Sequence, residues 1–279
     1  MRLETGLTLH VLEWGPEQAP PLLCLHGFLD NAWTWAPLTD AGLQDFRVIA
    51  PDLRGHGDSD RVGGGGYYHF FDYLPDVAGL VDALALDRVA VVGHSMGGTV
   101  ASYFAGAFPE RVTALALLEG IGPPQDDADP VARVRGWVEA WRRRVGQQPS
   151  ALPNLDAAAK RLQAADGLLS VELAQRLARL GTHELPDGRR RFKHDPLHLT
   201  RGPYPFRAEV AEAFWRQVQC PVMYVEGEQS SYRALGSEID RRLACFGRVE
   251  RHTLPNAGHM LQRHRPELLA ELLDRFLRT

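Results

Sequence analysis

Val89-Ala90-Val91-Val92-Gly93-His94-Ser95-Met96-Gly97 is the stretch on which the fold turns. Val89 to Val92 is an unbroken apolar run, the signature of a strand buried on both faces of a parallel sheet. From Met96 the pattern becomes helical and continues to Phe108, where Pro109 limits it. A serine between such a strand and such a helix sits on a sharp, strained turn. The residues two before and two after it must lack side chains so that the backbones can pack closely. Gly93 and Gly97 meet that requirement. The turn lifts the Ser95 hydroxyl above the sheet edge, and the helix amino terminus places the Met96 N–H where negative charge would develop.

Outward from this turn, strand and helix patterns alternate. Strand-like runs are read at Leu7 to Glu13, Pro21 to Leu25, Phe46 to Ala50, Thr113 to Leu118, Val222 to Val225 and Val249 to Thr253. Helical patterns are read at Trp33 to Leu43, Asp72 to Leu86 and Leu261 to Leu277. That alternation means a doubly wound α/β sheet, mostly parallel. Between Glu119 and Cys220 the rhythm changes. Asp129 and Pro130 offer a cap and a first-turn proline for a helix with Val131, Val134, Val138, Trp141 and Val145 on one face. Further helices are expected at Ser170 to Leu180 and Arg207 to Val218, with an exposed hairpin around Asp187-Gly188. The expected organisation is a core of residues 1–120 and 220–279 interrupted by a helical cap at 121–219.

A chain of 279 residues with 44% hydrophobic and 24% charged residues can bury a full globular core. Its net charge of −4 gives no electrostatic reason to expect nucleic acid, and no polybasic stretch adjoins a long apolar run. Cys24, Cys220 and Cys245 are too few and too scattered for a disulfide framework or zinc cluster, and no secretory signal is visible. A small-molecule partner and a cytoplasmic location are expected. The four glycines Gly63 to Gly66 do not open from a strand and read as a loop. His194 and His198 are four apart but separated by Pro196, so no metal site is expected, nor any cofactor.

The sequence resembles the α/β-hydrolase superfamily over nearly its whole length, most closely serine-hydrolase-like proteins with a helical cap. The resemblance implies Ser95 as nucleophile of an ester-type hydrolysis. It also implies His259, in Asn256-Ala257-Gly258-His259-Met260, as its base. His26-Gly27-Phe28 stands where the superfamily's H-G-x motif supplies an oxyanion donor, so the amides of Phe28 and Met96 would form that hole, with His26 structural. Asp52-Leu53-Arg54-Gly55-His56-Gly57-Asp58-Ser59 resembles the loop that forms the floor of such sites.

The orienting acid departs from the commonest pattern. Its usual position, three residues past the glycine after Val222 to Val225, is here Ser230. Haloalkane dehalogenases and serine-hydrolase-like proteins place the acid after the preceding strand, which in this chain is Glu119. A carboxylate ending so apolar a run needs a partner. Glu119 is the expected acid, with Glu228 the alternative. Trp33, Trp35, Trp137 and Trp141, with aromatics of the 67–71 segment, are candidates for an apolar pocket. The chemistry expected is acyl transfer to Ser95 from a carboxylic ester, with water as second reactant. A thioesterase, lactonase or carbon–carbon bond hydrolase would use the same residues, and a non-catalytic ligand-binding member of the fold remains the other class.

Overall fold

A computed structural model describes residues 1–126 and 128–278. The strands are β1 (Val11–Trp14), β2 (Pro21–Leu25), β3 (Arg47–Pro51), β4 (Val89–His94), β5 (Val112–Leu118), β6 (Thr182–Glu184), β7 (Arg190–Phe192), β8 (Val222–Gly227) and β9 (Val249–Leu254). The helices are α1 (Ala36–Ala41), α2 (Tyr73–Ala83), α3 (Met96–Ala107), α4 (Pro130–Arg144), α5 (Leu155–Ala165), α6 (Val171–Leu180), α7 (Ala208–Trp215), α8 (Ser237–Leu243), α9 (Leu261–His264) and α10 (Pro266–Leu277).

Seven strands form one sheet in the order β1-β3-β2-β4-β5-β8-β9, and only β1 runs antiparallel to its neighbour. Successive side chains of the central strands leave by opposite faces, as strand geometry requires. Val91 and Leu115 pack with α2, α3, α7 and α8; Val92 and Ala116 pack with α1, α9 and α10. Both faces are covered, which is why these runs read as continuously apolar.

The expected α/β-hydrolase architecture is present. Its details differ from the sequence reading in ways with physical causes. The terminal helix breaks into α9 and α10, because Pro266 lacks an N–H and its ring clashes with the preceding turn. The short helices α5 and α8 were not anticipated: α5 buries only Ala158 and Ala159, too little apolar pattern to stand out. Within 121–219, α5 and α6 share a small core of their own around Ala158, Ala174 and Ala178. Helix α7 instead joins the main core through Ala208, Ala211 and Trp215, whose indole N–H donates to Ser102 on α3. The hairpin β6–β7 lies where the Asp187-Gly188 turn predicts it. Helix α4 begins at its expected cap, Asp129, which accepts from the Ala132 amide, yet none of its residues is fully buried and Val131 is 71% exposed. No helix among the described residues is long and apolar enough to cross a membrane.

Candidate active site

Parallel register carries the carboxyl ends of three neighbouring strands to one place: His94 pairs with Leu118, and Leu118 with Val225. Ser95 follows immediately, its amide donating to Leu118 O at 2.9 Å. Its φ of 52° lies in the left-handed region, which costs a non-glycine residue about 1–3 kcal/mol. Both flanking glycines are obligatory. A Cβ on Gly93 would stand 2.5 Å from Gly97 O and Gly98 Cα; one on Gly97 would stand 2.2 Å from Leu25 O. As the residue that starts α3, Ser95 makes no capping hydrogen bond with its side chain, so the hydroxyl is left to the cavity.

Glu119 also has a positive φ, 48°, and its side chain is fully buried. Its amide stays in register, donating to Val225 O at 3.0 Å. Its carboxylate takes three donors: Oε1 accepts from the Gly227 amide at 2.8 Å, while Oε2 accepts from the Ser230 hydroxyl at 2.6 Å and from His259 Nδ1 at 2.6 Å. A buried carboxylate is tolerable when both of its oxygens find donors. The turn at Glu119 is permitted by a close approach of two backbones: a Cβ on Gly120 would lie 2.5 Å from Gly98 Cα, and one on Gly98 equally near Gly120 Cα.

Of the two carboxylates weighed, Glu119 meets His259 and Glu228 does not. Glu228 is exposed and accepts from the Asn256 amide. Ser230 was read only as a missing acid; here it is a donor to the carboxylate that took over the role of partner to His259.

With Nδ1–H given to Glu119, the His259 ring keeps Nε2 as its acceptor. The ring is about a third exposed and stacks at 5.8 Å from Tyr232. Two contacts hold its loop. His94 Nε2 donates to the His259 carbonyl at 2.8 Å, and the two imidazoles lie 4.8 Å apart. Burial, with His259 nearby, keeps His94 well below the ordinary histidine range, so it adds no positive charge beside an imidazolium. On the other side His264 Nδ1 accepts from the Gly258 amide, and its Nε2 donates to Asp166, from the segment between α5 and α6, at 2.8 Å. The Ser95 hydroxyl and His259 are not hydrogen bonded to each other among the described residues; contacts of this kind commonly close only with substrate bound.

The loop after β2 lies against the serine: a Cβ on Gly27 would be 3.3 Å from Ser95 Cβ. The amides of Phe28 and Met96 are not taken up by other described residues. His26 donates from Nδ1 to Gly27 O and accepts the Leu53 amide on Nε2, which fixes the loop and leaves it no nitrogen free for proton transfer. In the loop after β3, Asp52 accepts from the amides of Ala32 and Asp58 and from His10. His10, Asp52 and Asp58 are the described residues close enough together to ligate a metal, within 4.8 Å. Lys193 already neutralises Asp58 at 2.6 Å.

A cavity of about 810 Å³ opens on Ser95, with Phe28, Met96 and Glu119 also in its walls. Of the tryptophan candidates, Trp35 is fully buried on the far face of the sheet, and Trp33 packs edge-on against Trp14. Trp137 stands behind Tyr67, 5.5 Å between centroids, and Trp141 is half-buried; none of the four lines the cavity. Tyr67, Tyr68, Phe70 and Phe71 do, joined by Tyr103, Phe206 and Tyr232. Nothing in the local sequence marks Tyr103 or Phe206, which reach the site from α3 and from just before α7.

Comparison with known proteins agrees with this fold. The sequence model described as "alpha/beta hydrolase fold" matches residues 20–266. A serine hydrolase-like protein of Danio rerio is 33% identical over 179 residues, 63% of this chain and 55% of that protein, so the similarity spans just over half of the relative's length. Among solved structures, the hypothetical protein PA1622 of Pseudomonas aeruginosa PAO1 superposes with a TM-score of 0.88 at 30% identity, covering 98% of this chain and 96% of the other. A thioesterase domain from the curacin biosynthetic pathway superposes with a TM-score of 0.83 at 27% identity, covering 96% and 95%.

Proposed function

Because this chain belongs to the alpha/beta hydrolase fold family, we propose that it is a serine hydrolase that cleaves a carboxylic ester or related acyl substrate, with Ser95 as nucleophile, His259 as base and Glu119 as orienting acid. The observation that carries the reading is the buried carboxylate of Glu119 at 2.6 Å from His259 Nδ1, on the strand adjoining the one that presents Ser95. That contact selects the tautomer with a free Nε2 and stabilises the imidazolium that forms.

In this reading, Ser95 Oγ bonds to the substrate's carbonyl carbon as its proton passes to His259 Nε2. The carbonyl electron pair moves onto oxygen, where the amides of Phe28 and Met96 hold the negative charge. The bond to the leaving alcohol then breaks, and the alcohol oxygen takes the proton from Nε2. Water repeats the sequence on the acyl-enzyme, giving its proton to His259, and Ser95 recovers one on release of the acid. Serine rather than aspartate at the turn favours acyl carbon over the alkyl carbon of dehalogenases.

The test is labelling by a fluorophosphonate together with turnover of an activated ester. Wild type should be labelled at Ser95, and Ser95→Ala should lose about six orders of magnitude in kcat. A folded protein left unlabelled and without ester turnover would instead favour a ligand-binding member of the fold, and activity surviving in Ser95→Ala would remove Ser95 as the nucleophile. The likeness to a thioesterase domain supports a second reading on the same residues, and matched oxoester and thioester substrates of one acyl group separate the two.

A further inference from the structure

The cavity at Ser95 has a composition that the acyl-transfer chemistry alone does not require. Three of its tyrosines have their hydroxyls engaged by the protein: Tyr67 bonds to Thr200, Tyr68 donates to Asp195 at 2.8 Å, and Tyr232 donates to Gly122 O. What they leave to the cavity is ring surface. The guanidinium of Arg133 in its wall is likewise engaged, by Gly202 O at 2.8 Å and by Asp126. An acetyl group would leave most of about 810 Å³ filled with water against aromatic surface.

The mouth continues the same chemistry. Phe28, Phe71, Tyr204 and Val210 line the cavity and are 50%, 45%, 77% and 44% exposed. Scattered apolar exposure needs no explanation, but four such residues around the rim of one cavity do. Direction follows from the proton. The leaving alcohol must sit on the side of His259, whose ring is about a third exposed and is not among the residues that line the cavity. The acyl side is the one that enters.

We infer that the substrate carries an extended, uncharged, apolar acyl group that runs from Ser95 through the tyrosine-lined cavity to the apolar rim, joined to a small alcohol that leaves on the solvent side. This rests on the acyl-enzyme reading above. The acyl chain contributes binding through ring contacts and water release, and the two guanidiniums in the described walls, Arg133 and Arg207, both already have partners, those of Arg133 being Gly202 O and Asp126.

The experiment uses p-nitrophenyl esters from acetate to dodecanoate, kept below their aggregation concentrations, with two control series: acetates of lengthening alcohols, and acyl groups ending in a carboxylate. From C4 to C8, kcat/KM should rise about threefold per added methylene, less than the ceiling set by full burial of each group. A parallel series of alkyl fluorophosphonates should label Ser95 faster as the alkyl chain grows. Val210→Glu, a change at an exposed position, should lower the decanoate-to-acetate ratio of kcat/KM at least about tenfold, since it sets a charge against buried apolar surface. A flat or falling profile with Ser95-dependent turnover or labelling would overturn the inference and leave the hydrolase reading standing. So would a rise with alcohol length instead, a preference for the carboxylate-ended acyl group, or an unchanged ratio in Val210→Glu. Failure of the hydrolase reading looks different: Ser95 unlabelled by every probe.

Discussion

At the scale of single residues, the site is defined by which carboxylate His259 meets. Glu119→Gln keeps the shape but presents an amide to Nδ1, and should lower kcat by about four orders of magnitude. Glu228→Gln, on an exposed group that touches only the Asn256 amide, should leave kcat within a factor of about two. A reversal of that order would remove Glu119 from its role. Ser230→Ala withdraws one of two donors to Glu119 Oε2, and a hydrogen bond to a charged group is worth about 1.5–3 kcal/mol, so kcat should fall about tenfold. Because Ser230 Oγ is already 2.6 Å from the oxygen that holds His259, Ser230→Asp combined with Glu119→Ala should recover part of the activity lost by Glu119→Ala alone. Steady-state kinetics on one activated ester decides all of these. Ser95, Glu119 and His259 could be picked out from sequence because each ends a strand or occupies a loop with a recognisable neighbourhood. Ser230, His264 and Asp166 could not, since their roles come from contacts with residues distant in the chain. Trp33 and Trp35 misled for another reason: apolar bulk says that a side chain is buried, not which face of the sheet buries it.

At the scale of elements, the close approach of α3 to the turn after β5 sets the distance from Ser95 to Glu119. Gly98 lies outside the strand-turn-helix motif, and its need for a bare Cα shows only once Gly120 is seen against it. Gly98→Ala should force the two backbones apart, shift Glu119, and reduce both kcat and folding stability by more than the roughly 1 kcal/mol that alanine ordinarily adds in a helix. Circular dichroism melting and ester turnover should change together; a variant with unaltered melting and turnover would show that the turn tolerates the extra carbon. The sheet itself was legible because double coverage makes β2, β4, β5 and β8 unbroken apolar runs. Helices α5 and α8 were not, for each buries only a few residues and alanine carries little pattern. Pro266 breaks the terminal helix although the apolar spacing continues across it from α9 into α10, which is why the pattern alone reads as one helix.

At the scale of the whole molecule, buried neutral histidines tie stability to pH. Burial holds His56 and His94 well below the ordinary value of 6.5, and pushes His194 to about 4 and His198 to about 3. Unfolded, each takes a proton near 6.5; folded, each stays neutral. Below that pH the unfolded chain binds more protons, so stability should fall as pH drops from about 6.5 toward about 3, by up to about 1.4 kcal/mol per pH unit for each group. His10, raised by its hydrogen bond to Asp52, acts the other way but is a single, half-exposed group. Urea midpoints at pH 7.5 and 5.0 should show a clear loss at the lower pH; an unchanged midpoint would mean that these rings titrate freely in the fold. The order of the chain has a last consequence. Ser95 and Glu119 are both in place before residue 120, on adjacent strands, and the helical segment follows them. The part of that segment that holds α5 and α6, with a small core of their own, is therefore a cassette: a donor of another length or shape could be grafted there while α7 stays packed against α3. The graft would need from its donor an acidic side chain where Asp166 now steadies His264 and, through it, the loop of His259.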